Sequence, residues 1–195
     1  MTYEDHLRKL SEGTAKTTAA VLASWREGLL DQGDFLDLTA GFIATGNAQG
    51  RALALLALRG YLEAATGTPE PVAIPAATDD RPRLSKALRT IVDADDDTTM
   101  RLHRLASNEP IQAATGAFND GMAAHPRIEG WTRGLESGAC QLCRWWWRDG
   151  RVWRADHAMP RHTGCVCHPI PTVTTTSNYQ TARQAADRHR ERTSA

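Results

Sequence analysis

Apolar positions recur at helical spacing over most of the chain and lose that spacing after residue 126. Over residues 3–30, Leu7, Leu10, Thr14, Val21, Leu22, Trp25 and Leu29 fall on one face, which predicts an amphipathic helix. Gly33 interrupts it, and Asp34 is placed to cap a second helix with the stripe Phe35, Leu38 and Phe42. Gly41, Gly46 and Gly50 weaken its middle, each by about 1 kcal/mol relative to Ala. The pattern recovers from Arg51 to Ala65 through Leu53, Leu56, Tyr61 and Leu62, so this stretch reads as two helices or one kinked helix.

Thr66 to Arg83 contains Pro69, Pro71, Pro75 and Pro82, a density that predicts an extended arm or linker and the best boundary in the chain. Leu84, Leu88, Ile91 and Val92 begin a further helix, the acidic run Asp93, Asp95, Asp96 and Asp97 interrupts, and Met100, Leu102 and Leu105 resume the pattern. Pro110 then suits the start of a shorter helix carrying Ile111, Ala114, Phe118 and Met122, stopped by His125-Pro126. From Arg127 short strands are expected instead, at Ile128–Arg133 and Arg151–Arg154. The expected fold class is therefore mainly α, α+β overall: a helical body over residues 1–126 and a small zinc-stabilised β module over 127–171. A basic tail follows over 172–195, in which Tyr179–Arg192 reads as a short exposed helix or a frayed end.

Charge adds an asymmetry to this division. The formal net charge is zero, yet residues 127–195 hold eleven Arg, no Lys and six acidic residues, a balance of about +5 offset by the rest of the chain. Zero net charge argues against a dedicated nucleic-acid binder, while the basic end suits phosphates, an acidic partner or plain solvation. The N-terminus has no apolar signal region, and the longest apolar run, Ala52–Leu58, is too short to span a bilayer. A soluble protein made in the cytoplasm, without a membrane partner, is the expectation.

All four cysteines lie between Cys140 and Cys167, and such clustering in a cytosolic chain points to metal or redox chemistry. With His162 they make the spacing C-x2-C-x18-H-x2-C-x-C. A C-x2-C pair in a tight turn aims two thiolates at one ion, and a second pair arriving from a distant segment closes a tetrahedral site. Thiolates with imidazole favour Zn²⁺ over Mg²⁺ or Ca²⁺, and iron–sulfur clusters usually want four thiolates. Five candidates, Cys140, Cys143, His162, Cys165 and Cys167, compete for four positions. Cys165 and Cys167 would face one side of an extended strand and both bind, or His162 and Cys165 would serve and leave Cys167 outside the ligand shell. The reading leans to Cys140, Cys143, His162 and Cys165, with His157 and His168 as surface histidines. The bland alternatives are buried apolar thiols, two disulfides, or a redox pair, although no βαβ unit of the thioredoxin kind is visible.

Trp131, Trp145, Trp146, Trp147 and Trp153 crowd the same stretch. Three adjacent tryptophans cannot all face inward, so at least one is expected at the surface, in protein–protein contact or stacked on bases beside Arg144, Arg148, Arg151 and Arg154. No G-x-S-x-G, Walker A or H-E-x-x-H motif occurs, and the aspartate run lacks EF-hand spacing, so an enzyme is not expected. A fully ligated zinc would be structural.

Gly130-Trp131-Thr132-Arg133, Ala139-Cys140-x2-Cys143 and Met159-Pro160-x-His162-x-Gly164-Cys165-x-Cys167 together resemble the C-terminal signature of the MuF-like minor head proteins of tailed phages. The resemblance covers about 40 residues, and the Trp145–Trp147 run departs from it, since smaller apolar residues are usual there. It implies a minor capsid protein of head morphogenesis, located in the virion at the portal or capsid interior. Its implied partners are the portal, the major capsid protein and, through the Arg- and Trp-rich end, packaged DNA. By motif position the resemblance carries zinc ligation to Cys140, Cys143, His162 and Cys165, with Cys167 completing the element. The rivals are a zinc-ribbon nucleic-acid-binding or regulatory protein, and a metal-dependent nuclease or thiol oxidoreductase.

Overall fold

The computed structural model describes residues 1–74, 76, 78–94 and 96–174. Four long helices, α1 (Tyr3–Arg26), α2 (Gln32–Thr66), α3 (Arg81–Val92) and α4 (Thr98–Ala124), precede a small sheet. The sheet comprises β1 (Ile128–Gly134), β2 (Trp153–Arg154) and β3 (His168–Val173), with the short helix α5 (Gln141–Trp147) after β1. Strand order is β2-β1-β3, antiparallel throughout, which fits the expected α+β class. Residues 175–195, and with them the expected tail helix, lie outside the described residues; Thr172 and Val173 belong to β3 rather than to a tail.

Polar residues set the helix ends. Thr2 and Asp5 form a reciprocal capping box on α1, and Asp31, not Asp34, caps α2 by accepting from the Asp34 amide at 2.8 Å. Within the aspartate run, Asp97 caps α4 through the Met100 amide at 2.9 Å and Asp96 pairs with Arg101 at 2.8 Å; Asp95 lies outside the described residues. The first helix stops at Arg26, four residues short of the expected end, because Gly28 turns the chain with φ +75° and leaves Leu29 exposed.

Two expectations for the middle of the chain are corrected. α2 is one continuous helix, and its buried stripe runs through Phe35, Leu36, Ala40, Ile43, Gly46, Gly50, Ala54, Leu58 and Leu62, while Leu38, Phe42 and Leu56 are exposed. Close approach of backbones chose this face over the bulkier one. α4 likewise runs through Pro110, which is buried mid-helix rather than opening a shorter one. A Cβ on Gly46 would lie 3.1 Å from Pro110 Cγ, so the proline ring sits where α2 has no side chains. That contact supports a proline that costs its own helix a hydrogen bond.

The proline-rich arm joins helices of one packed body. Its last residue, Asp80, is buried and accepts from Asn47 Nδ2 at 3.0 Å and Arg51 Nη2 at 2.7 Å. Arg83 bridges Asp80 to Glu109 of α4, whose Oε2 also accepts from Asn47 at 3.0 Å. The helix expected after the arm already begins at Arg81, with Pro82 in its first turn, where the missing amide costs nothing. One hydrophobic cluster joins Ala15, Leu22, Phe35, Ile43, Leu84, Leu88 and Leu102. A second joins Leu58, Leu62, Phe118 and Met122 to Ile128, Trp131, Met159 and Val166, so the sheet shares its core with α2 and α4.

Candidate metal centre

β1 runs through the centre of the sheet and sends two large side chains inward, Trp131 and Arg133, each 2 % exposed or less. Trp131 joins the shared core and donates from Nε1 to the His157 carbonyl at 2.8 Å. After β1 the chain turns at Gly138, φ +78°, and α5 opens on Cys140 as its N-cap. Cys143 follows one helical turn later, so both sulfurs reach the same side of the first turn of α5. The C-x2-C pair therefore starts a helix, which periodicity over so short a span did not reveal.

Three left-handed residues, Arg148, Asp149 and Gly150, then reverse the chain into β2. The other candidate ligands lie on the loop entering β3, not on a strand as one expectation had it. His162, Thr163 and Gly164 form a tight turn, closed by the Cys165 amide donating to the His162 carbonyl at 3.2 Å, with Gly164 at φ +77°. Asn108 of α4 holds this loop by accepting from Arg161 Nη2 at 2.6 Å and the Gly164 amide at 3.4 Å. Glu136, paired with Arg8 of α1 at 2.7 Å, accepts from the Val166 amide at 3.4 Å. Helices α1 and α4 thus fix the second half of the cluster against the first.

All five candidates come together. His162 Nε2 lies 3.1 Å from Cys140 Sγ and 3.2 Å from Cys143 Sγ, and Cys143 Sγ lies 3.4 Å from Cys165 Sγ. The donor atoms of Cys140, Cys143 and His162 lie within 4.8 Å of one another, as do those of Cys143, Cys165 and Cys167. Cys143 belongs to both groups and is fully buried. All four cysteines are free thiols in this structure.

The thiols are unequal. Burial pushes Cys143 up to about 12, and a hydrogen bond with Cys167 together with burial raises Cys165 further. That bond from Cys165 draws Cys167 down to about 6 against the effect of its burial. Backbone hydrogen bonding from Cys143 at the start of α5 lowers the exposed Cys140. Such a mixture of thiols and thiolates, with an imidazole against two of the sulfurs, suits a soft or borderline divalent ion that replaces the remaining thiol protons. The cluster fits a metal ion by its donor chemistry.

Histidine 168 corrects the sequence reading. It is buried, with Nε2 2.8 Å from Tyr61 Oη and Nδ1 3.2 Å from Glu4 Oε1, in a pocket shared with Tyr3 and Phe118. It fastens β3 to α2 through Tyr61 and to α1 through Glu4. His157 is exposed as expected and stacks on Trp153 at 4.7 Å. Of the adjacent tryptophans, Trp145 is 63 % exposed and Trp147 is also at the surface, while Trp146 packs beside His162 and Arg133. Sequence reasoning missed Asn108 and Glu136; Arg133 stood in the Gly130–Arg133 signature with no role given, and the alternation of β1 puts it on the same face as Trp131.

Among the described residues, no helix is long and apolar enough to cross a membrane. Comparison with protein-family models, with curated proteins and with solved structures gave no match to this chain.

Proposed function

We propose that this chain is a MuF-like minor head protein whose Cys/His cluster holds a structural Zn²⁺. The observation that carries the metal reading is the convergence of Cys140, Cys143, His162, Cys165 and Cys167 from two segments onto one small cluster. Their spacing, with the flanking Gly130-Trp131 and Met159-Pro160, carries the family reading. The metal would be held by four of these five side chains, and its chemistry is to cross-link α5 to the loop before β3. With every position filled by protein, the centre is structural and the chain acts by binding rather than catalysis.

The surface above the centre supports a docking role. Trp145, Trp147 and Leu142 of α5 are exposed beside Arg144, Arg148 and Arg151. Arg148 and Arg151 lie over Trp153, at 5.8 and 4.4 Å from its ring centre. Portal or capsid protein in the virion, and packaged DNA, are the partners this reading gives it. Counting its peptides in purified particles and procapsids tests the role. A few to tens of copies per portal supports it, and confinement to the soluble lysate overturns it.

One observation favours a second reading. Cys140 is exposed, lowered and at a helix start, with a buried, raised Cys143 behind it, an asymmetry that suits thiol–disulfide exchange. The antiparallel sheet and the crowding of Cys143 by His162 and Cys165 weigh against it. Thiol titration separates the two: a metal centre leaves the cysteines unreactive until a chelator is added, whereas a redox pair reacts at Cys140 without one.

A further inference from the structure

Arg133 is a buried cation that no carboxylate of the described residues pairs with. It is 2 % exposed, and among the described residues it takes part in no ion pair. Its Nη1 donates to Cys143 Sγ at 3.8 Å, its Nη2 donates to the Pro160 carbonyl, and its Nε is buried without a partner. The guanidinium lies over Trp146 at 5.1 Å from the ring centre. A carbonyl and an aromatic face offset only part of the several kcal/mol that burying a charge costs. The remaining neighbour is the sulfur of Cys143, the residue common to both donor groups.

A dication held by three thiolates and one imidazole retains one negative charge, and one held by four thiolates retains two. Any four of the five donors include at least three cysteines, so with these bound as thiolates the loaded centre carries a negative charge for Arg133 to meet. We infer that Arg133 is the built-in counter-cation of a metal centre that is anionic when loaded, holding at least three of Cys140, Cys143, Cys165 and Cys167 as bound thiolates. This inference rests on the metal reading above and adds the charge of the centre and the residue that balances it. Arg133 acts as a positioning residue: it ties β1 to the ligand-bearing turn through Cys143 and to the second ligand segment through Pro160. An arginine suits this place because its planar fork reaches both at once, and it remains charged when buried.

The test uses the full chain loaded with Co²⁺ and, separately, with Zn²⁺. The intensity of the thiolate-to-cobalt charge-transfer band counts bound thiolates; three or four are expected, and two would overturn the inference. Zinc affinity, measured against a chromophoric chelator, is expected to fall about 10- to 100-fold in Arg133→Met. Arg133→Lys, which keeps the charge and loses the fork, is expected to fall between Arg133→Met and the unaltered chain. Equal affinity in Arg133→Met and the unaltered chain would overturn the counter-cation role. Should Arg133→Met fail to fold, Arg133→Gln, which loses the charge and keeps a donor for the Pro160 carbonyl, decides: zinc affinity below that of Arg133→Lys supports the role, and affinity equal to or above it overturns the role. An unaltered chain that binds neither ion would instead overturn the metal reading itself.

Discussion

Gly50 of α2 and Pro110 of α4 approach so closely that a Cβ built on the glycine would lie 2.4 Å from the proline's carbonyl oxygen. The glycine that weakens α2 as an isolated helix is the residue that lets α2 cross α4 at all. Gly50→Ala is therefore expected to destabilise the protein by about 1–3 kcal/mol, since backbone must move to admit the methyl group. Gly60, also in α2 but exposed with nothing within 4 Å of its Cβ position, makes the control. Gly60→Ala should stabilise by about 0.5–1 kcal/mol from helix propensity alone. Denaturant unfolding of both variants would check the pair, and effects of the same sign would refute the argument.

The position of Cys143 in both donor groups gives a ranking among ligand variants. Cys143→Ser is expected to abolish zinc binding, whereas Cys167→Ser loses it only if Cys167 is among the four ligands. Loss of metal should redden the tryptophan fluorescence of the module, through Trp146 beside His162, and leave most of the far-ultraviolet helical signal, because the principal helix contacts lie in other clusters. A structural zinc contributes on the order of 10 kcal/mol of binding energy, so adding chelator should lower Tm markedly. Zinc content per chain, measured alongside the spectra, decides the outcome.

Acid should act on the buried network around Asp80 and Glu109. Burial alone would raise both carboxyls, but hydrogen bonds and charge from Asn47, Arg51 and Arg83 outweigh it at Asp80, as those from Arg83 and Asn47 do at Glu109. Both are lowered in the folded state, so the unfolded chain takes up protons first as pH falls. Their stabilisation is full above the ordinary carboxyl range and is lost as pH drops below about 4. Glu109→Gln should lower stability at neutral pH, by leaving Arg83 with weaker pairing, and flatten the acid limb of the stability curve. Urea midpoints from pH 3 to pH 7 would show this; an unchanged acid limb would exclude Glu109 as a contributor.

The tryptophans should divide cleanly. Trp131, fully buried in the core shared by sheet and helices, is expected to cost about 3–5 kcal/mol when replaced by Ala. Trp145, at 63 % exposure, should change stability by less than about 0.5 kcal/mol. If Trp145 belongs to the docking surface, Trp145→Ala loses its partner while keeping its Tm, which co-sedimentation with assembled heads would detect.

Tyr61→Phe removes the hydrogen bond to buried His168 and is expected to cost about 1 kcal/mol. Because His168 immediately follows Cys167, zinc affinity should be measured on the same variant. Unchanged affinity with lowered stability would place the pair as a fastening between β3 and α2 rather than a part of the centre.

The helical body, the change of character at Arg127, the strand at Ile128 and the set of five Cys/His donors were legible in the chain alone. Each of these rests on local information: apolar period, proline density, or ligands at short spacing. Packing between helices selected the buried face of α2, where Gly50 admits the Pro110 backbone and Gly46 the proline ring, and left Leu38, Phe42 and Leu56 exposed. Tertiary structure decided that Pro110 lies inside a helix, supported by the neighbour that its ring contacts. It turned His168 inward, since Tyr61 and Glu4 are 107 and 164 positions away in the chain and no local pattern announces them. It also buried Arg133 beside Cys143, where an arginine on a strand would ordinarily face solvent. Short-range patterns fix what each segment can be, while charges and close contacts between distant segments fix what it is used for.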